Sequence, residues 1–444
     1  MHILLDITRT LARRYNSTPT GIDRVEHALA RWLVYEGSAL YPDAHFVITA
    51  PYLRAALTRE DFRPILTEIE GRWAAANHIN GPTKLYEELR RSLESPIGAP
   101  SASRGSLRLS GESAKRTTSR AYTEIARLCL LHARKFHRIL RDAEQAHTLY
   151  LHSSHTQLEK PQLFKWTKKA NIHTSFFVHD IIPIDFPEFC GNRSEFLHKL
   201  RMKTVSEYGS SIVANSKYTK DRLSSYFEEE GLAAKRIEVS YLGNVIQEYK
   251  EENLKSPSAA VPYFICLSTI EGRKNIQHIL NVWRQIIQRN DLRSIPRLII
   301  VGRRGWKSEN VIDVLDRTRE LAPFLIEVSD LSDVELAALM TGSAGLLSPS
   351  LVEGYSLPPI EGAARHIPVV ASDIPVHREI LGGAAIFLDP TDGPGWRNVI
   401  MRLATDDTFR RDAVAATYNL RRTSWADFAS DTLSKVVGTA KQNQ

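Results

Sequence analysis

The segment Ser348-Pro-Ser-Leu-Val-Glu-Gly-Tyr-Ser-Leu-Pro-Pro-Ile-Glu361 sets two carboxylates, Glu353 and Glu361, eight residues apart around a glycine and a proline pair. Carboxylates grip hydroxyl-rich ligands, because each oxygen accepts charge-assisted hydrogen bonds. A buried strand over residues 344–348 would end at this loop. A helix would begin near Pro358 and Pro359, where proline suits the first turn. Backbone N–H groups at such a start form an anion site backed by the helix dipole. Gly354 would let a ligand come close to the backbone. Glu353 on the loop and Glu361 on the first helical turns could then face one bound ligand from two sides.

Three further places carry usable groups. The run Phe264-Ile-Cys-Leu-Ser-Thr-Ile-Glu-Gly-Arg-Lys-Asn275 is a strand leading into a loop with Arg273 and Lys274. Two cations near a helix start can neutralise a leaving group whose charge grows as a bond breaks. Taken alone, such a pair is usually a solvated surface pair. A strand over residues 174–179 ends in His179-Asp180, and Asp180 could orient the imidazole or cap the segment after it. Near the N-terminus, Pro19-Thr-Gly-Ile-Asp-Arg-Val-Glu26 puts Gly21 in a loop before a helix. No Asp-x-Asp motif occurs, so no metal ligand is assigned and no cofactor is expected.

These groups need strand ends to hold them, and the chain supplies many. Residues 2–7, 46–50, 148–152, 174–179 and 211–215 read as buried strands in the first half. Residues 263–268, 297–302, 325–328, 344–348 and 368–372 do so in the second. Short apolar runs, each followed by a helical pattern, indicate parallel sheets covered by helices on both faces. The polar stretch EYKEENLKSPSAA at 248–260 marks a break, which makes two α/β layer domains with a ligand cleft between them. Residues 95–120 are rich in Ser, Gly, Arg and Lys and read as a mobile or disordered insertion. Residues 122–140 read as a basic amphipathic helix, with Ile125, Leu128, Leu131 and Ile139 set against Arg127, Arg134, Lys135 and Arg138. Such a helix either meets an anionic membrane surface or packs on the core as an ordinary surface helix.

The 444 residues suit two domains, and the apolar fraction of 43% suits a sizeable core. Cys129, Cys190 and Cys266 are few and scattered, which suggests neither a disulfide framework nor a zinc site and fits a reducing compartment. Asp6 interrupts the apolar start too early for a signal peptide, and no apolar run approaches the roughly 18–20 residues that span a bilayer. The expectation is a cytoplasmic protein, at most peripheral on the inner face of the plasma membrane. A net charge of +7 attracts polyanions. A nucleic-acid-binding protein is the rival from another class, but no nucleic-acid motif accompanies the charge.

The segment from Glu353 to Glu361 resembles the E-x7-E signature of the family 4 glycosyltransferases, and AARHIPVVASDIPVHREILGGAAIFLDP resembles the rest of that family's donor domain. The resemblance implies the α/β GT-B fold, two Rossmann-like domains facing each other across a cleft, and retention of anomeric configuration. It gives an acceptor-binding domain over residues 1–250, a nucleotide-sugar-binding domain over 251–425, and a C-terminal helix and tail, 426–444, crossing back to the first domain. It assigns Glu353 to the transferred sugar and Glu361 to the nucleotide ribose. Gly354, Tyr355, Ser356 and Leu357 would offer backbone N–H groups to the donor, although the family often has Gly where Ser356 stands. The 264–275 run resembles the family's GTLEPRKN, which makes Arg273 and Lys274 diphosphate ligands; Ser268 and Gly272 replace its usual Gly and Pro. His179 matches a histidine that faces the donor sugar, and Gly21 a glycine loop under the donor phosphate. LIIVGRRGW and VSDLSDVELAAL resemble base-binding elements. The HD-x-x-P-x-x-x-PE and RKN patterns resemble bacterial mannosyltransferases of surface polysaccharide biosynthesis. The implied activity is metal-independent transfer of a hexose, mannose from GDP-mannose, to a lipid-linked or oligosaccharide acceptor. A UDP- or dTDP-sugar is the alternative donor.

Overall fold

The structure, a computed structural model, describes residues 1–16, 18–51, 53–77, 81–96, 106–110, 118–143, 147–233, 235–244 and 254–442. Its strands are β1 (His2–Asp6), β2 (Ala44–Ala50), β3 (Leu53–Leu57), β4 (Leu107–Ser110), β5 (Thr148–His152), β6 (His173–Val178), β7 (Ser211–Ala214) and β8 (Arg236–Val239). They continue with β9 (Tyr263–Leu267), β10 (Arg297–Val301), β11 (Leu325–Ser329), β12 (Gly345–Ser348), β13 (Val369–Ser372) and β14 (Ile386–Leu388).

They form two seven-stranded sheets, ordered β3-β2-β1-β5-β6-β7-β8 and β14-β13-β12-β9-β10-β11-β4. All neighbours pair in parallel except the β2–β3 hairpin. Parallel strands lie under helices on both faces, so runs such as Thr148–His152 and Arg297–Val301 are buried at every residue. The chain order reverses between β1 and β5 in the first sheet and between β9 and β12 in the second, which turns back once more where β4 joins β11. Crevices at the carboxyl ends of such strand pairs are where open α/β sheets bind ligands.

The helix Trp425–Gln442 returns to the first domain. Its Phe428, Leu433, Val436 and Ala440 join the core under β1, and Phe428 meets Phe177 edge-on at 6.0 Å. Among the described residues no helix is long and apolar enough to cross a membrane.

Several expectations need correction. The first domain is not the uninterrupted stretch 1–250. The helix Lys84–Glu94 lays Tyr86, Leu89 and Leu93 on the second sheet, and β4 extends that sheet beside β11. The buried Arg297 fastens this excursion by donating to the carbonyls of Ser92, Leu93 and Ser95 at 2.6–2.8 Å. The expected insertion 95–120 therefore contains an ordered edge strand, while 97–105 and 111–117 lie outside the described residues. Polar composition concealed it because a four-residue edge strand needs only Leu109 to be buried. The break at 248–260 also falls partly outside, at 248–253. The basic amphipathic helix extends over Thr118–Ala143, and its apolar stripe is mostly a packing face. Ile125 and Ile139 are buried and Leu128 packs beside the core, whereas Leu131 is 66% exposed.

Truncating Leu89→Ala should lower unfolding stability by about 2–5 kcal/mol, because the side chain is fully buried. Denaturant titration measures the loss. Hydrogen exchange should rise first at β4 and β11, not in the first sheet.

Candidate active site

The loops after β9 and β12 leave adjacent strands at the switch point of the second sheet, which is why Arg273, Lys274 and Glu353 meet. The Glu353 carboxylate accepts from Arg273 Nη1 and Lys274 Nζ, both at 2.5 Å, and from Ser350 Oγ at 2.7 Å. Glu353 is 4% exposed and Lys274 9%. Burial pushes the Glu353 carboxyl up, but Arg273 and Lys274 outweigh it and hold the group ionised well below the usual carboxylate range. Burial lowers Lys274 despite Glu353, and the two carboxylates Glu353 and Glu271 raise Arg273 against its own desolvation. Asn275 fixes the cation loop. It adopts the left-handed backbone (φ 55°) that Asn tolerates and donates to the carbonyls of Pro349 and Pro390 at 3.1 and 2.9 Å.

The helix Leu357–Ala364 follows. Prolines at its second and third positions lack N–H groups, so its anion-binding start is narrower than an ordinary helix start. The N–H groups of Tyr355, Ser356 and Leu357 meet no acceptor among the described residues. Ser356 has φ 75°, the left-handed conformation that favours glycine, so serine here is strained where the resembling family has Gly. The Tyr355 side chain turns away from this loop, and its hydroxyl donates to the Leu242 carbonyl at 3.2 Å.

The first domain closes on this loop. A Cβ on Gly354 would lie 2.6 Å from the His179 carbonyl and 2.8 Å from Asp180 Cβ. The glycine therefore serves the contact between domains, where the sequence suggested approach of a ligand. The Gly354 carbonyl accepts from Ser216 Oγ at 3.1 Å and Thr219 Oγ1 at 3.2 Å. Gly21, the first residue of the helix Gly21–Val34, stands 3.4 Å from Leu357 Cδ1, measured from the position a Cβ would take. One turn later, Arg24 Nη1 donates to Glu361 across the cleft at 2.8 Å.

His179 sits one residue beyond β6, buried, with Nε2 2.8 Å from the Ser153 carbonyl. A carbonyl only accepts, so Nε2 carries the proton and Nδ1 of the neutral ring keeps its lone pair. Burial lowers this imidazole to about 4. Asp180 caps instead of orienting: its Oδ1 accepts from the Ile182 N–H at 3.1 Å. An open pocket of about 210 Å³ lies beside Asp180, Glu353 and Gly354.

The structure thus gathers all the sequence-predicted residues along one cleft, except the Tyr355 side chain. Sequence reasoning missed Arg24, Glu271, Ser350 and His377. Glu271 pairs with Arg273 at 3.3 Å, and the buried His377 is near enough for Glu353 and Lys274 to act on its titration. Arg24 was within reach, because three residues after Gly21 is the same helix face.

Residues 261–406 match the family model described as Glycosyl transferases group 1. The chain is 27% identical over 236 residues to the O-antigen chain mannosyltransferase RfbU of Salmonella typhimurium, an overlap of 51% of this chain and 59% of that one. It is 27% identical over 230 residues to the serotype-specific mannosyltransferase WbdA of Escherichia coli, covering 48% of this chain and 27% of that one. The chain therefore spans less than two thirds of either relative. Among solved structures it is similar to the UDP-forming α,α-trehalose-phosphate synthase of Burkholderia xenovorans (TM-score 0.58, 12% identity, 99% and 100% of the two chains). It is also similar to Anabaena Alr3699/HepE in complex with UDP and glucose (TM-score 0.55, 14% identity, 98% and 99%). The chain has the two-domain GT-B fold, and its residues 261–406 are similar to the glycosyl transferases group 1.

Proposed function

We propose that the protein is a retaining, metal-independent glycosyltransferase that moves mannose from GDP-mannose to a saccharide or lipid-linked acceptor in polysaccharide biosynthesis. The observation that carries this is the buried Glu353 carboxylate, held ionised by Arg273 and Lys274 beside backbone N–H groups that meet no acceptor among the described residues. The names of the relatives favour mannose and polysaccharide assembly. UDP- or dTDP-sugars are the second reading for the donor.

In this reading the donor diphosphate takes the two cations. Glu353 and Glu271 balance Arg273 and Lys274, so the diphosphate binds by taking these cations over from the carboxylates. Glu353, partly released, turns to the sugar hydroxyls. The charge that grows on the leaving diphosphate then meets Arg273, Lys274 and the N–H groups of Ser356 and Leu357. The free Nδ1 of His179 accepts from a sugar hydroxyl. Glu361 exchanges Arg24 for the ribose. The domains part to admit the donor and close before transfer. The acceptor end works at the cytoplasmic face of a membrane when the acceptor is lipid-linked.

Lys274→Ala and Glu353→Gln should each lower sugar transfer by roughly a hundredfold or more, since both groups act where charge changes most. A radiolabelled-mannose assay reads this, with unfolding curves to show that both variants fold. Near-normal transfer by both would refute the assignment.

GDP should protect the protein from thermal unfolding more than UDP or dTDP at equal concentration, and transfer should persist in EDTA. Greater protection by UDP would move the donor to a UDP-sugar. Activity lost on chelation and restored by Mg²⁺ or Mn²⁺ would refute the metal-free mechanism.

His179 is neutral in this role. Its folded value of about 4 lies below the ordinary 6.5, so the fold disfavours its charged form. Above pH 6.5 that carries no penalty; stability is lost as pH falls from about 6.5 towards 4. The imidazole's share is on the order of 3 kcal/mol. Urea unfolding of His179→Gln over this range should lose correspondingly less stability than the wild type.

A further inference from the structure

Tyr15 follows the helix Thr8–Ala12, which leaves the carboxyl end of β1. Three guanidinium carbons surround its ring: Arg14 at 5.2 Å from the centroid, Arg72 at 4.9 Å and Arg120 at 4.9 Å. They arrive from three segments, residue 14 itself, the helix Arg59–Asn77 and the first turn of Thr118–Ala143. Each is about 5 Å from one centroid, so no two are more than about 10 Å apart. Among the described residues the carboxylate within ion-pair reach of this group is Glu68, 2.6 Å from Arg14 Nη2 and 2.8 Å from Arg72 Nη2. Three cations against one carboxylate leave two net positive charges. Donors are also in excess. Arg14 is 8% exposed, and among the described residues the buried Nε atoms of Arg14 and Arg72 have no acceptor.

A purely structural hub does not need this. The ring attracts cations through its face, but each added guanidinium repels the others. Neutral side chains would pack around Tyr15 without that repulsion. The arrangement becomes favourable when an anion joins it. Guanidinium forks match phosphate oxygens two by two, and a dianion balances the charge.

We propose that Arg14, Arg72 and Arg120, gathered around Tyr15, form a phosphoryl-binding site on the first domain, separate from the donor cleft, for a phosphate or diphosphate group. The cluster follows the helix Thr8–Ala12, which leaves the carboxyl end of β1, the sheet edge at which open α/β folds take ligands. If the protein transfers sugars, the group belongs to an anionic acceptor. That clause rests on the function proposed above; the anion site does not.

The probe is inorganic pyrophosphate, titrated calorimetrically at low salt into wild type, Arg72→Gln/Arg120→Gln, Arg120→Gln alone and Lys274→Ala. Arg120 is exposed, so its single variant keeps the test open if the double variant folds poorly. Wild type should show two binding steps. The double variant should weaken one of them about ten- to hundredfold and the single variant less, with thermal protection by GDP unchanged. Lys274→Ala should weaken the other step. The proposal fails if both steps survive in the double variant, if GDP protection falls with them, or if wild type binds pyrophosphate only at the step that Lys274→Ala removes. Co-sedimentation with phosphatidylglycerol vesicles separates the sources of phosphate. Equal vesicle binding by wild type and double variant supports the proposal. Vesicle binding lost while pyrophosphate binding is kept would overturn it in favour of a membrane contact. Pyrophosphate binding is read without sugar transfer, so a protein that moved no sugar would leave this test intact.

Discussion

A carboxylate removed from water stays charged only if cations come close enough to replace the lost hydration. Glu353 is such a group, and much of the site's architecture follows from answering it. Arg273 and Lys274 must lie beside it, so their loop must leave the strand next to Glu353's own. That fixes β9 and β12 as neighbours at the switch point. It also explains the ancillary groups. Asn275 holds the cation loop in a left-handed turn, Ser350 supplies a third donor to the carboxylate, and Glu271 offsets the second cation.

The same logic extends across the cleft. Polar groups at the border of one domain find partners in the other. Arg24 meets Glu361, the Gly354 carbonyl accepts from Ser216 and Thr219, and Glu379 accepts from the N–H groups of Lys217 and Tyr218 at the start of the helix Lys217–Glu229. Gly354 is the steric condition for this closure, because any side chain there would strike the His179 carbonyl. Apolar packing accompanies these contacts: Tyr355, Ile360 and Leu381 of the second domain lie in one buried cluster with Leu5, Val25 and Leu29 of the first. The helix Trp425–Gln442 adds to this tether through the apolar core it shares with the first sheet.

The sheets were legible because parallel strands buried on both faces read as unbroken apolar runs. Ten strands stood out this way, within a residue or two at each end. Those that did not are β3, β4, β8 and β14. The first is the antiparallel edge of its sheet, β4, β8 and β14 are parallel edges, and all four are short. An edge strand pairs on one side and buries less, so its sequence carries a weaker pattern. The amphipathic stripe on Thr118–Ala143 was also legible, but periodicity reports an apolar face and not what covers it.

The sequence by itself determined the two α/β layers and the chemistry at their strand ends: Glu353, Arg273, Lys274 and His179 each lie at or just beyond the end of a recognisable strand. Local pattern suffices there, because side-chain type and strand burial are written within a few residues. Only the tertiary structure decided which groups meet. Arg24 reaches Glu361 over 337 residues, Arg297 binds a segment some two hundred residues earlier, and three arginines converge on Tyr15. Those contacts depend on how helices and sheets pack, and packing is set by the summed burial of many residues, which no short stretch of sequence encodes.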